Sequence, residues 1–221
     1  DEQLLVPTGR AVPASFERAS GKFKFFHLQA FGHKGGSSTL AIGPYFFNAG
    51  YTYDASTGKV LDPVGVGEVA AVPDGLILST GKAPKGKASS EIVAYQWADK
   101  KKAEKGKLEL VKYKGLEKLW TIPSVPGGAA VVVAGKHVIA GGENRVTIAD
   151  RETKKIVASF DVEGTAHGLA VANGRLMVST DRGHFYCYSA TDKDRDEALN
   201  PLPRVYENND ANEKAAKAIL A

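Results

Sequence analysis

The sequence predicts an all-β fold built from short strands in repeated units. Three observations carry that expectation. Gly makes up 24 of 221 residues, against a usual level of roughly 7%, while helix-periodic stretches are few, so turns are frequent. A segment recurs: AGKHVIAGGENRVTIADRETKK from Ala134 matches NGRLMVSTDRGHFYCYSATDK from Asn173, at an offset of 39 residues when Gly135 is placed on Gly174. The end of that unit, an apolar or aromatic residue, an acid, two variable residues, Ser/Thr, Gly and Lys, recurs along the chain.

Tyr53-Asp54-Ala55-Ser56-Thr57-Gly58-Lys59 is the cleanest copy of this end motif. Phe16–Lys22 and Ala149–Lys155 are further copies, and Tyr95–Lys100 and Tyr188–Lys193 are degenerate ones. The second positions are spaced by 37, 42, 54 and 39 residues. The chemistry is that of a hairpin. Asp54 or Asp150 at a strand end accepts from backbone N–H groups two and three residues on, Thr57 or Thr153 does so more weakly, and Gly58 supplies a positive φ before Lys59. Four short strands every ~40 residues are the pattern of propeller blades.

The Asp-x-x-Thr-Gly-Lys hairpin resembles the repeat of the pyrroloquinoline-quinone-type, or quinoprotein-like, β-propellers, over residues 4–192. That family often has Ala two residues before the Asp and Trp three after the Lys. Here Thr52 and Asp62 stand at those places. Trp120 resembles the outer Trp of a blade. The fold expected is therefore a β-propeller of four-stranded quinoprotein-like blades, about four to five in number. Residues 1–195 hold the blades, and 196–221 hold a linker with Pro201 and Pro203 and a short C-terminal helix opened by Asp210 with Glu213 three residues on.

In order, Leu4–Lys22 reads as the later strands of a blade, and further blades run over 36–63, 66–122, 126–162 and 165–192. The long spacing of 54 reflects an insertion at Asp99–Lys107, read as a solvated Lys-rich loop. Ile156–Phe160 reads as an outer strand and Leu169–Ala172 as an innermost one. The incomplete first blade and a final helix with no stop signal are read as a fragment of a longer, incomplete propeller. Its open blade ends should self-associate.

Composition narrows the function. The formal charge is +4, too small a surplus to call for nucleic acid. No apolar run approaches the ~18–20 residues of a membrane span. One Cys excludes an intramolecular disulfide and Cys-based metal clusters. Cys187, between Tyr186 and Tyr188, reads as a small inward core residue. Gly65–Ala70 fits G-x-G-x-x-A, but strand and turn residues follow instead of a helix, so no dinucleotide site is expected. Gly81–Ala88 nearly fits a phosphate-binding loop, yet Ala88 replaces the hydroxyl and Glu91–Trp97 alternates like a strand. His27 and His33 stand six apart without a third ligand and read as a polar insert. His137 aligns with Leu176 and reads as a packing residue.

His167, just before the innermost strand, is the first choice for a site residue. Glu143, Asn144 and Arg145 in one turn, and Asp181 and Arg182 in the equivalent turn of the next repeat, form a candidate binding surface. No catalytic residue, cofactor or metal is assigned. The expectation is a non-catalytic scaffold for an unidentified protein or small molecule, part of a larger multidomain protein. The family resemblance implies a periplasmic or extracytoplasmic setting, and it leaves open part of a quinone-dependent dehydrogenase or a substrate-recognition domain of an attached enzyme. The resemblance also implies, for such a dehydrogenase, a calcium held by carboxylate and amide oxygens and an Asp base.

Overall fold

The computed structural model describes residues 2–28, 35–65, 67–73, 75–80, 90–103 and 109–189. All regular structure among them is β. The first sheet contains β1 (Gln3–Val6), β2 (Ala14–Glu17) and β3 (Phe23–Phe25), in the order β1-β2-β3. The second contains β4 (Leu40–Ile42), β5 (Tyr45–Asn48), β6 (Tyr51–Asp54) and β7 (Val60–Pro63), in chain order. The third contains β8 (Glu68–Val72), β9 (Gly75–Thr80), β10 (Glu91–Lys102) and β11 (Val111–Pro123). Each neighbour pair is antiparallel, so every sheet is a meander.

The remaining strands are β12 (Ala130–Ala134), β13 (His137–Asp150), β14 (Lys155–Ala172), β15 (Arg175–Thr180) and β16 (Phe185–Ser189). They are hydrogen-bonded in that order, but β13 and β14 each serve twice. The Arg151 N–H donates to the Lys136 carbonyl at 2.9 Å. An unbroken strand of 14 residues, about 46 Å long, does not permit that contact, so β13 doubles back at Glu143–Asn144. Asn144 takes the left-handed φ of 55° that the reversal requires. In β14, the first part pairs with β13 and Ala166–Ala172 pairs with β15. The chain thus passes from the fourth sheet to the fifth within one strand, at the boundary the repeat predicts.

Four apolar cores lie between successive sheets. Leu5 and Phe25 of the first sheet meet Phe46 and Tyr53 of the second. Phe47 and Leu40 meet Leu76, Leu116 and Trp97. Ile77, Ile92 and Ile122 meet Val138, Ala140 and Ala149, with Trp120 on β11 packed against them. Val146 and Val162 meet Leu176 and Val178. Period-two alternation explains this: each sheet sends one set of side chains forward and the other back. The architecture is a succession of propeller blades.

The end motif closes three hairpins with the same backbone bond, and two of them also with the same carboxylate device. Asp54 Oδ1 accepts from the N–H groups of Ser56 (3.0 Å) and Thr57 (2.9 Å) and from both hydroxyls. The Gly58 N–H then donates to the Asp54 carbonyl at 2.8 Å with φ +68°. Burial pushes the Asp54 carboxyl up, but these hydrogen bonds outweigh it and hold the group below its ordinary value. Asp150 repeats the arrangement with Glu152 and Thr153, both at 2.9 Å, and adds an ion pair to Lys136 at 3.2 Å. The N–H of Thr153, aided by Lys136, lowers its carboxyl to about 2. In the first sheet, Gly21 returns to Glu17 at 2.8 Å.

Two predictions follow from these turns. Asp150 is deprotonated more easily folded than unfolded, so its stabilising contribution is complete above pH ~4 and is lost as pH falls towards 2. Asp150→Asn should therefore flatten that part of the acid-unfolding curve, measured by circular dichroism. Lys154 occupies the Gly58 position with φ 59° and is exposed. A non-Gly residue there costs about 1–2 kcal/mol, partly offset by the greater unfolded-chain entropy of Gly. Lys154→Gly should raise stability by about 0.5–1 kcal/mol, or the melting midpoint by about 2 °C.

Three expectations are corrected. Tyr95–Lys100 is no turn: it lies inside β10, whose residues pair with β11 from Glu91 to Lys102. It lacks the Gly that would reverse the chain. The start of the Lys-rich insertion is strand for the same reason, with Asp99 paired to Lys114 across the hairpin at 2.9 Å. Cys187 is exposed. Along β16, Tyr186 and Tyr188 take the inward face, which leaves Phe185, Cys187 and Ser189 outward. The loop Gly81–Ser89, His33 and the linker and helix of 196–221 lie outside the described residues.

Candidate functional site

The two equivalent turns converge where β14 crosses from the fourth sheet to the fifth. The crossing residues are Glu163, Gly164 and Thr165. Each of their backbone N–H groups is held by a side chain from a different strand or turn. Tyr186 Oη accepts from Glu163 at 2.9 Å, Asn144 Oδ1 from Gly164 at 3.1 Å, and Asp181 Oδ1 from Thr165 at 2.7 Å. Gly164 has φ +89°, and a Cβ there would lie 2.4 Å from Asp181 Oδ1. The backbone N–H of Thr165, with its hydroxyl and the charges of His167 and Arg182, keeps the Asp181 carboxyl below its ordinary range.

Beside this crossing lies an open cleft of about 500 Å³. Its walls include Pro126, Glu143, Arg145, Asp161, Glu163 and Arg182. Arg145 is committed to Asp161, with Nη2 at 2.7 Å and Nε at 3.1 Å from one carboxylate oxygen. Both partners are largely exposed, so the pair orients more than it stabilises. Among the described residues the Glu143 and Arg182 side chains make no hydrogen bond or ion pair. His184 Nδ1 lies 3.2 Å from Tyr186 Oη and its Nε2 lies 3.7 Å from Glu163 Oε2, so the ring adds charge to this wall when protonated.

The candidates read from sequence therefore separate. Glu143, Arg145 and Arg182 line the cleft. Asn144 lines it too, but its side chain, like that of Asp181, is engaged in holding the crossing backbone. His167 does not line it. It is exposed and sits at the irregularity between Ala166 and Gly168. His137 is half-buried at the start of β13. His27 stacks on Phe25 at 5.4 Å, and its Nε2 lies 2.8 Å from the Thr57 carbonyl oxygen, so it docks the first sheet on the second. Sequence reasoning missed Asp161, Glu163 and Tyr186. The pattern Asp161-Val162-Glu163 alternates around a buried Val, and that was the available signal.

The dehydrogenase alternative implies a calcium held by carboxylate and amide oxygens. Among the described residues no three His, Cys, Asp or Glu side chains converge to hold a metal ion.

Neither a protein-family model nor a curated protein matches this sequence. Solved structures do. BamB from Moraxella catarrhalis is similar with TM-score 0.58 and 15% identity, over 87% of this chain and 56% of that one. The Cps50 (Swd1) β-propeller domain of Myceliophteria thermophila is similar with TM-score 0.50 and 16% identity, over 89% of this chain and 64% of that one. The chain thus spans a little over half the length of these structures. No helix among the described residues is long and apolar enough to cross a membrane. At this level of identity the likeness carries the fold alone: the chain is a β-propeller in architecture.

Proposed function

We propose that this chain is a non-catalytic binding scaffold of the quinoprotein-like type, working within a larger multidomain protein. The cleft beside Glu163–Thr165 receives a protein segment or a small molecule. The observation that supports this reading is the convergence of two equivalent turns on one cleft, where the exposed Glu143 and Arg182 side chains are locked in no hydrogen bond or ion pair among the described residues. Exposed charges not locked into an ion pair lose little when a ligand pairs with them, and turns held by internal hydrogen bonds lower the ordering cost of binding. The resemblance in the hairpins, Asp54 to Lys59 above all, supports the family and with it an extracytoplasmic setting.

The test is a charge exchange. A library of immobilised peptides and metabolites is probed with the labelled chain and with a Glu143→Lys/Arg182→Glu double variant. Ligands kept by the first should bind the second at least tenfold more weakly, with the melting midpoint within about 1 °C, since exposed substitutions seldom change stability by more than ~0.5 kcal/mol. Equal binding by both would place recognition elsewhere and overturn this reading.

A further inference from the structure

The basic surplus of the chain is not spread along it. Residues 99–114 hold seven Lys and three acidic residues, a net charge of +4, which is the formal charge of the whole chain. Taking them from the 29 basic and 25 acidic side chains leaves 22 of each. The same stretch has no Arg.

The strands give this charge a frame. Pairing of β10 with β9 runs from Glu91 to Gln96 and stops there. Pairing with β11 continues to Lys102. Trp97–Lys102 and Val111–Leu116 therefore run on as a two-stranded arm, about 20 Å long. A lone ribbon of two strands is marginal in water, but this one is fastened to the second sheet. The Tyr113 hydroxyl and the Leu116 N–H donate to Asp62, and Trp97 stacks on Tyr45 at 4.3 Å.

On the arm, Lys101 stands directly opposite Lys112, and both are exposed. Like charges facing each other across a strand pair destabilise it. Neither ammonium has a hydrogen bond or ion pair among the described residues. Leu110, one residue before β11, is 58% exposed. The arm thus joins an unrelieved repulsion to an exposed apolar side chain on a fixed support. None of these residues lines the cleft beside Glu163–Thr165.

We propose that this arm docks the protein on a bilayer surface that contains anionic lipid, with Lys101 and Lys112 against headgroup phosphates and Leu110 entering the interface. The phosphates give the facing ammonium groups the counter-charge that the chain withholds. Lys clusters suit a diffuse negative plane, and a neighbouring apolar side chain adds burial that a soluble polyanion does not offer. Nucleic acid fits less well, because its recognition draws on Arg forks and stacking aromatics. The arm has no Arg, and its Trp97 and Tyr113 are engaged with the second sheet.

Flotation of the whole chain with vesicles tests this, using phosphatidylcholine alone and phosphatidylcholine mixed with phosphatidylglycerol. The protein should float with the anionic vesicles and not with the neutral ones, and should be released as salt is raised. Lys101→Gln/Lys112→Gln should weaken the binding roughly tenfold or more. Its melting midpoint should not fall, since both positions are exposed and the change removes a repulsion. Leu110→Ser should weaken binding severalfold. A parent that ignores the anionic vesicles overturns the proposal. So does equal uptake on neutral vesicles, or a Gln pair that binds as the parent does. If Leu110→Ser has no effect and polyglutamate or duplex RNA strips the protein from the vesicles, the partner is an acidic macromolecule and the proposal falls.

Discussion

Asp62→Ala is expected to destabilise the protein by about 3–4 kcal/mol. Asp62 is buried at the outer strand of the second sheet. Its Oδ1 accepts from Tyr113 Oη at 3.0 Å, and its Oδ2 accepts from the Leu116 N–H at 2.9 Å and pairs with Lys100 Nζ at 3.3 Å. All three partners belong to the β10–β11 hairpin of the third sheet. Removing the carboxylate leaves a buried N–H unsatisfied, at about 1–3 kcal/mol. It also leaves Lys100 without its counter-charge, and breaking a buried pair costs about 3–5 kcal/mol. Lys100 retains some solvent and its bond to the Leu116 carbonyl at 2.5 Å, so the two penalties do not add in full. Urea unfolding measures the difference. Lys100→Met in the alanine background should recover part of the loss. A change below about 1 kcal/mol would mean that the clamp adds nothing to the docking of the two sheets.

Gly141→Ala is the second large effect, at about 2–3 kcal/mol. Gly141 is buried in β13, where a Cβ would stand 2.3 Å from the Ala166 carbonyl oxygen and 3.1 Å from the Ala166 Cβ. The obstacle is backbone, held in β14 by its pairing with β15, so no side chain can swing aside. Overpacking of this kind typically costs 1–3 kcal/mol. The fall should appear as a lower urea midpoint with an unchanged slope. An unchanged midpoint would show that the fourth and fifth sheets separate easily at this point.

The blades were legible because their turns are local chemistry. Asp54 reaches only to Ser56 and Thr57, so a seven-residue window contains the whole device. The sheet boundaries followed from counting such windows. Where a window held the side chains but not the Gly, as at Tyr95–Lys100, the strand simply continued. The Asp62 clamp had no local signature, since its partners lie 38 to 54 residues away. The sequence reading marked Asp62 only as a departure at the position where the resembling family carries Trp. In place of that outer aromatic, the second sheet holds the third with a carboxylate. At the cleft, the turn residues were found from repeat equivalence, but their roles were not. Asn144 and Asp181 look as available for ligands as Glu143 and Arg182 until β14 is seen passing between them. The side of Cys187 depended on the register of β16, which one residue of slip reverses.

The crossing at Glu163–Thr165 has a consequence for how the protein comes apart. Its three N–H groups are anchored by Asn144, Tyr186 and Asp181, one from the fourth sheet and two from the fifth. Neither sheet keeps all its own hydrogen bonds if the other melts. In a simple array of repeats, each unit can fray alone from the end. Here the smallest cooperative unit at this end is the pair, and amide protons on β13 and β15 share one opening free energy.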